Sequence, residues 1–222
     1  MSRRIVVVTA GLSQPSSTRL LADQLADAVT TSVTARGETA TVDVIELRDL
    51  ATELAATMVT GGVPTPAVTR ARDLVSSADG LVAVTPVFSA SYSGLFKLFF
   101  DALDPDAING MPVIVAATAG TSRHSLVLDF ALRPLFTYLR AIVVPTGVFA
   151  ATEDFGGGAE GEALASRISR AASELAGLVV AEGGSVGGFV PGAADQRRRT
   201  SGATLDTDIT PFATLLQGHA GG

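Results

Sequence analysis

Ile5-Val6-Val7-Val8-Thr9-Ala10-Gly11-Leu12-Ser13-Gln14-Pro15-Ser16-Ser17-Thr18 decides the fold. The run from Ile5 to Thr9 is β-branched throughout and shows no polar alternation, the pattern of a strand buried on both faces. Such a strand belongs in the middle of a parallel sheet. A hydroxyl-rich loop from Ala10 to Ser17 follows. From Thr18 to about Arg36, Leu21, Leu25, Ala28 and Ser32 share one helical stripe, and Gly37 stands where a helix should stop. Strand, loop and helix in that order form the opening of an alternating α/β chain.

The same alternation continues outward. Thr41 to Glu46 reads as a second strand, Pro66 to Ser77 as a helix with proline in its first turn, and Gly80 to Thr85 as a third strand. The stretch from Ala51 to Thr65 carries no decisive pattern. After a serine-rich loop at Pro86 to Ser93 come a helix from Gly94 to Leu103, a strand from Pro112 to Ala117 and a loop from Thr118 to Arg123. A helix then starts at Ser125, and Pro134 should kink or split it, since proline removes a helical hydrogen bond. Ala141 to Ala150 reads as a fifth strand and Glu160 to Glu182 as a closing helix. Five strands alternating with helices predict a doubly wound α/β domain with helices on both faces of a parallel sheet. Its expected form is flavodoxin-like, with strand order 2-1-3-4-5. Ligands of such sheets sit beyond the carboxyl ends of the strands, where the winding reverses. Residues 1–182 make this domain, and 183–222 read as a glycine-rich arm whose Ile209, Phe212, Leu215 and Leu216 could dock on a neighbouring subunit.

Composition narrows the function. The 222 residues are 47% hydrophobic and 17% charged, too apolar for a disordered chain. A net charge of -6 offers no basic footprint for nucleic acid or an anionic membrane, so an anionic ligand must be held by hydroxyls, helix ends and backbone amides. With no cysteine there is no disulfide, thiol nucleophile or iron–sulfur ligation. His124 and His219 alone cannot build a histidine-rich metal centre, and no metal is expected. No apolar run approaches the roughly 20 residues of a membrane span, and the expected compartment is the cytoplasm.

Three loops gather at the expected ligand end. In the first, Gly11, Ser13, Ser16, Ser17 and Thr18 can supply amides, hydroxyls and the positive end of a helix dipole to a phosphate. It is neither a Walker loop nor a dinucleotide fingerprint. Ser17 or Thr18 acting simply as a helix cap is the competing reading. The second loop, Pro86, Val87, Phe88, Ser89, Ala90, Ser91 and Tyr92, sets small residues between two aromatics, which suits a flat heterocycle with a polar edge. Ordinary core packing of those aromatics is the alternative. The third loop, Thr118, Ala119, Gly120 and Thr121, is again small and hydroxyl-bearing. Arg123 and His124 follow it as candidate nicotinamide contacts.

Taken together, the strand–glycine–serine loop–helix start, Thr85-Pro86-Val87-Phe88 followed by Ser-Ala-Ser-Tyr-Ser-Gly-Leu-Phe-Lys97, Ala-Thr-Ala-Gly-Thr121 and Asp129-Phe-Ala-Leu-Arg133-Pro134 resemble the NAD(P)H-dependent FMN reductases. Within them the chain looks most like the reductase halves of two-component flavin monooxygenase systems of the alkanesulfonate type. The likeness runs from about Arg4 to Ala150. It implies FMN and NADPH or NADH as cofactors, with the first loop on the FMN phosphate, Pro86 to Ser91 on the ring edge, and Thr118 to Thr121 on the ring's other side. Tyr92 and Gly94 match the turn into the next helix. No catalytic side chain is implied, because the flavin carries the hydride chemistry. Gln14 stands where many relatives carry a basic residue, the phosphate loop is shorter than in many of them, and Phe88 replaces a frequent Tyr. With Gln14 neutral, phosphate affinity would lean on hydroxyls and the dipole, or on Arg19, which suits a reductase that releases its flavin.

The two following helices carry an expectation about assembly. On Gly94 to Leu103 apolar residues cover too wide an arc for one sheet to bury, and Ser125 to Tyr138 is apolar nearly all round apart from Asp129 and Arg133. Both predict a homodimer or homotetramer, which the resemblance also implies, together with a flavin-dependent monooxygenase as partner. Two alternatives remain open: a tight flavoprotein reducing quinones, azo compounds or metal ions, and a flavodoxin-like carrier or binding module without NAD(P)H activity.

Overall fold

The computed structural model describes residues 2–181 and residue 199. Elements follow in the order β1 (Ser2–Thr9), α1 (Ser17–Thr34), β2 (Thr39–Glu46), a 3-10 turn (Leu47–Leu50), α2 (Ala51–Val59), α3 (Pro66–Ser76) and β3 (Gly80–Phe88). Then come β4 (Ser91–Tyr92), α4 (Gly94–Asp101), β5 (Pro112–Ala119), a π-helical turn (Leu128–Leu132), α5 (Arg133–Tyr138), β6 (Ile142–Val143), β7 (Val148–Ala151) and α6 (Ala159–Ala181). The sheet order is β2-β1-β3-β5-β6, with β7 also on β5 and β4 on β3. The class and winding are those the sequence predicts. The strand count is not, for the sheet has seven strands rather than five.

Both extra strands have local causes. The expected fifth strand breaks into β6 and β7 around Pro145, which has no N–H for the ladder. The next amide, of Thr146, donates to Glu174 Oε2 on α6 at 2.8 Å, and the Val144 carbonyl accepts from Arg133 Nη1 at 3.0 Å. The other addition, β4, folds back on β3 with Val87 opposite Tyr92 and Phe88 opposite Ser91. Ser89 and Ala90 alone make the turn, at φ 49° and 66°. Two-residue hairpin turns of this kind normally use Asn-Gly or Gly, so the sequence carried no turn signal here.

The core lies on both faces of the sheet. Along β1, Val6 and Val8 face α2 to α5 while Ile5 and Val7 face α1 and α6, and all four are fully buried. Each such side chain contributes about 1.5–3 kcal/mol. The inward stripe of α1 is Leu21, Leu25, Val29 and Val33, one residue round from the predicted Ala28 and Ser32. Ala51 to Val59, undecided in sequence, is α2. Pro134 sits in the first turn of α5 and ends the π-turn, so the predicted split occurs there. The wide arc of α4 is largely covered within the chain. Phe96, Phe99 and Phe100 are buried, and Phe100 and Phe136 meet edge to face at 4.9 Å. That arc by itself therefore does not require a second subunit. The predicted arm lies outside the described residues except Arg199, which donates through Nη1 to the Ala78 carbonyl and through Nε to that of Asn109 at 3.3 Å.

Candidate functional site

The carboxyl ends of β1, β3 and β5 open into one cleft of about 360 Å³, within the usual size of small-molecule sites. One wall is the first loop. Ser16 is the N-cap of α1 and its hydroxyl accepts from the Arg19 amide at 3.2 Å. The amides of Ser17 and Thr18, next in the first turn, have no acceptor within the helix and point with the positive end of the dipole. Gly11 lies buried beneath. A Cβ there would stand 2.2 Å from Ser16 Oγ and 3.2 Å from Thr18 Cβ, so only glycine lets the loop close over it. The buried Thr18 hydroxyl shares a 2.8 Å hydrogen bond with Thr118, tying the first loop to the third.

The second wall is the β3–β4 hairpin. Thr85 Oγ1 accepts from the Ser93 amide at 3.0 Å and donates to the Pro86 carbonyl at 2.9 Å, closing the base of the hairpin. Ser93 in turn caps α4 by accepting from the Phe96 amide at 3.1 Å. The tip residues Ser89 and Ala90 hold left-handed backbone, which costs about 1–2 kcal/mol per residue. Such strain is characteristic of functional turns.

Of the predicted residues, Ser13, Ser16, Ser17, Thr18, Pro86, Val87, Phe88, Thr118, Ala119 and Gly120 line this cleft together. Gly11 lies under Ser16 and Thr18 and does not itself line the cleft. Ser89 and Ala90 stand at the exposed hairpin tip, and Thr121, Arg123 and His124 are exposed just beyond it. Ser91 and Tyr92 face a neighbouring groove with Phe130 and Tyr138 instead. Two lining residues, Leu12 and Thr152, were not anticipated. Thr152 directly follows β7, so the carboxyl-end rule applied to the last strand would have found it. Arg19 does not serve the phosphate loop: it pairs with Asp23 at 2.8 Å and with Glu46, and the Asp23 hydrogen bond leads the effects that hold its proton even more firmly than usual.

A doubly wound sheet whose carboxyl end offers a helix-capped hydroxyl cradle beside an apolar wall defines a flavodoxin-like protein. The chain belongs to the NADPH-dependent FMN reductase family, whose sequence profile matches residues 3–156, and it is an oxidoreductase of that kind. It is 39% identical over 178 residues to FMN reductase (NADPH) of Pseudomonas aeruginosa, covering 79% of this chain and 91% of that one. It is 37% identical over 175 residues to the NADH-dependent FMN reductase SfnE of Pseudomonas putida, covering 78% and 91%. Among solved structures, an oxidoreductase from Corynebacterium diphtheriae is 58% identical and superposes with a TM-score of 0.79, over 81% of this chain and 98% of that one.

The residues present fit FMN. The Gly11 cradle and the open amides of Ser17 and Thr18 suit a phosphate, and Leu12, Pro86, Val87 and Phe88 suit a flat apolar ring. Thr9 Oγ1, at the carboxyl end of β1, is buried with no partner among the described residues. Among the described residues no His, Asp or Glu cluster could hold a metal, and no helix is long and apolar enough to cross a membrane.

Proposed function

We propose that this chain reduces FMN at the expense of NADPH or NADH and releases the reduced flavin to a flavin-dependent monooxygenase. When bound, FMN supplies the hydride-accepting chemistry. The chain's task is to bind, orient and shield. Ser16, Ser17 and Thr18 hold the phosphate through hydroxyls and helix amides, without a lysine or arginine in the loop. In the Pro86 to Ser91 loop, the residues after Pro86 present backbone amides toward the ring's polar edge, fixed in place by Thr85 so that little reorganisation accompanies the reaction. Thr118, Ala119 and Gly120 close the other side and leave the ring face open to a nicotinamide, with Arg123 and His124 exposed at that mouth. Kept apart from the cradle, the apolar groove with exposed Phe130 and Tyr138, 78% and 82% accessible, supports a homodimer or homotetramer seam. A cytoplasmic location accords with this reading.

The cradle over Gly11 at the start of α1 carries the reading. It supports a phosphate grip made only of neutral donors, which favours exchange of flavin over permanent retention. Oxidation of NADPH and of NADH by flavin-stripped protein, titrated with FMN, FAD and riboflavin, tests it. Saturable FMN-dependent turnover is expected. Folded protein that turns over with no flavin would point to a carrier, and quinone reduction without added FMN would point to a tight flavoprotein.

A further inference from the structure

Directly behind the first loop lies a charge cluster that the proposed reaction does not use. Arg48 follows β2 in the 3-10 turn, its side chain only 21% exposed. Its Nη1 donates to the Ser13 carbonyl at 3.3 Å, and Nη2 pairs with Glu46 Oε2 at 2.6 Å. With the Gln14 amide oriented to suit its surroundings, its oxygen accepts from both Arg48 terminal nitrogens, at 2.9 and 2.6 Å. Nε lies 3.6 Å from Asp49. Glu46 also pairs with Arg19, which pairs with Asp23. Two guanidiniums thus face three carboxylates. Carboxylates outnumber guanidiniums, so the cluster is net negative and poorly suited to attract a phosphate dianion by its field. Its geometry is better suited to holding the loop.

We propose that Arg48 is the positioning residue of the phosphate loop: braced by Glu46, it fixes Ser13 and Gln14 so that the donors of Ser16 to Thr18 converge on the phosphate, and it thereby sets preference for FMN over unphosphorylated flavin. This rests on the FMN reading above. A guanidinium suits this role, because its two terminal nitrogens reach the Ser13 carbonyl, Gln14 and Glu46 together from one planar fork, whereas the three donors of an ammonium radiate from a single nitrogen.

The test is direct binding of FMN and of riboflavin, followed by flavin fluorescence, to the full chain and to Arg48→Lys, Arg48→Ala and Glu46→Gln, each with its melting temperature. For Arg48→Ala the FMN dissociation constant should rise about tenfold, the order expected for lost charge-assisted bonds, while riboflavin binding moves less than about twofold. Arg48→Lys should not rescue it. Glu46→Gln is the decisive variant, because the two roles for Arg48 predict opposite signs. Unbracing Arg48 should weaken FMN binding, whereas a guanidinium acting as a counter-charge would bind FMN more tightly once Glu46 is neutral. Tighter binding in Glu46→Gln, full rescue by lysine, or FMN and riboflavin changing in parallel would each overturn the proposal. Binding is read without nucleotide, so absent turnover would count against the reductase function and leave this result standing on its own.

Discussion

The two ends of one sheet are built on opposite terms. At the amino end, the charged groups that start β1 and β3 are paired, though Arg140 before β6 also holds left-handed backbone at φ 59°: Arg3 forks onto Glu38, with Nη2 to Oε1 at 3.0 Å. Asp79 accepts from the Arg4 amide at 2.7 Å and returns its own amide to the Arg4 carbonyl at 2.8 Å. Gly80 is so tightly packed that a Cβ would meet Val179 at 2.9 Å. At the carboxyl end, Thr9 Oγ1 has no partner among the described residues, Ser89 and Ala90 hold left-handed backbone, and Leu12 and Phe88 are about half exposed at 53% and 48%. The difference teaches which end keeps the fold together and which end is kept ready for a ligand. Leu12 and Phe88 line the cleft itself, and the left-handed hairpin tip stands beside it.

That contrast can be broken most forcefully at Gly11. Gly11→Ala places a Cβ 2.2 Å from Ser16 Oγ, so Ser16 must turn off its cap position or the loop must shift, and FMN binding should weaken by about 2 kcal/mol or more with the loss of the loop's donors. Titration of flavin fluorescence reads it directly, and unchanged affinity would show that the phosphate does not rest on this loop. Next in size is Ser16→Ala with Ser17→Ala. Lost hydrogen bonds to a charged group should weaken FMN binding by about 2 kcal/mol, and loss of the Ser16 cap should lower stability by about 1 kcal/mol. If stability falls and affinity does not, these serines merely cap α1.

The central strands and the first turns of some helices were the legible part. Ile5 to Thr9 announced a doubly buried strand because every residue is β-branched, and Pro66 announced the start of α3 because proline fits a first turn. Ala51 to Val59 was illegible since its helix has no side-chain cap and the run of Ala and Thr shows no clear stripe. At the site, the hydroxyls of the first and third loops were visible as composition. Hidden were the contacts made across the fold: Thr152 arrives from the edge strand, and Arg48 lies 35 positions from the Ser13 carbonyl it holds. The β4 hairpin was hidden for the opposite reason, since Ser89-Ala90 lacks the glycine its backbone favours.

That missing glycine gives the third prediction and sharpens the comparison. Ala90→Gly relieves a left-handed residue and should stabilise the chain by about 1 kcal/mol after the larger chain entropy of glycine is counted. A rise in melting temperature is the readout. A fall would show that the hairpin tip is not strained in solution.

The smallest effect belongs to the amino end and concerns pH. The hydrogen bond from Arg3 leads the effects that hold the Glu38 carboxyl below its ordinary range, with further electrostatic help from the Arg3 charge. A carboxylate whose folded pKa is depressed binds fewer protons folded than unfolded. Its contribution is therefore fully present above the unfolded pKa and fades as pH falls through the folded one. Glu38→Gln should lower stability near neutrality, where the pair is intact, and flatten the acid limb of the stability curve. FMN binding should not move, since Glu38 precedes β2 at the end of the sheet opposite the cleft. Stability measured from neutral to acid pH, with FMN affinity at neutrality, checks both halves. A change in FMN affinity would mean that the two ends are coupled through the sheet, and the division of labour between them would fail.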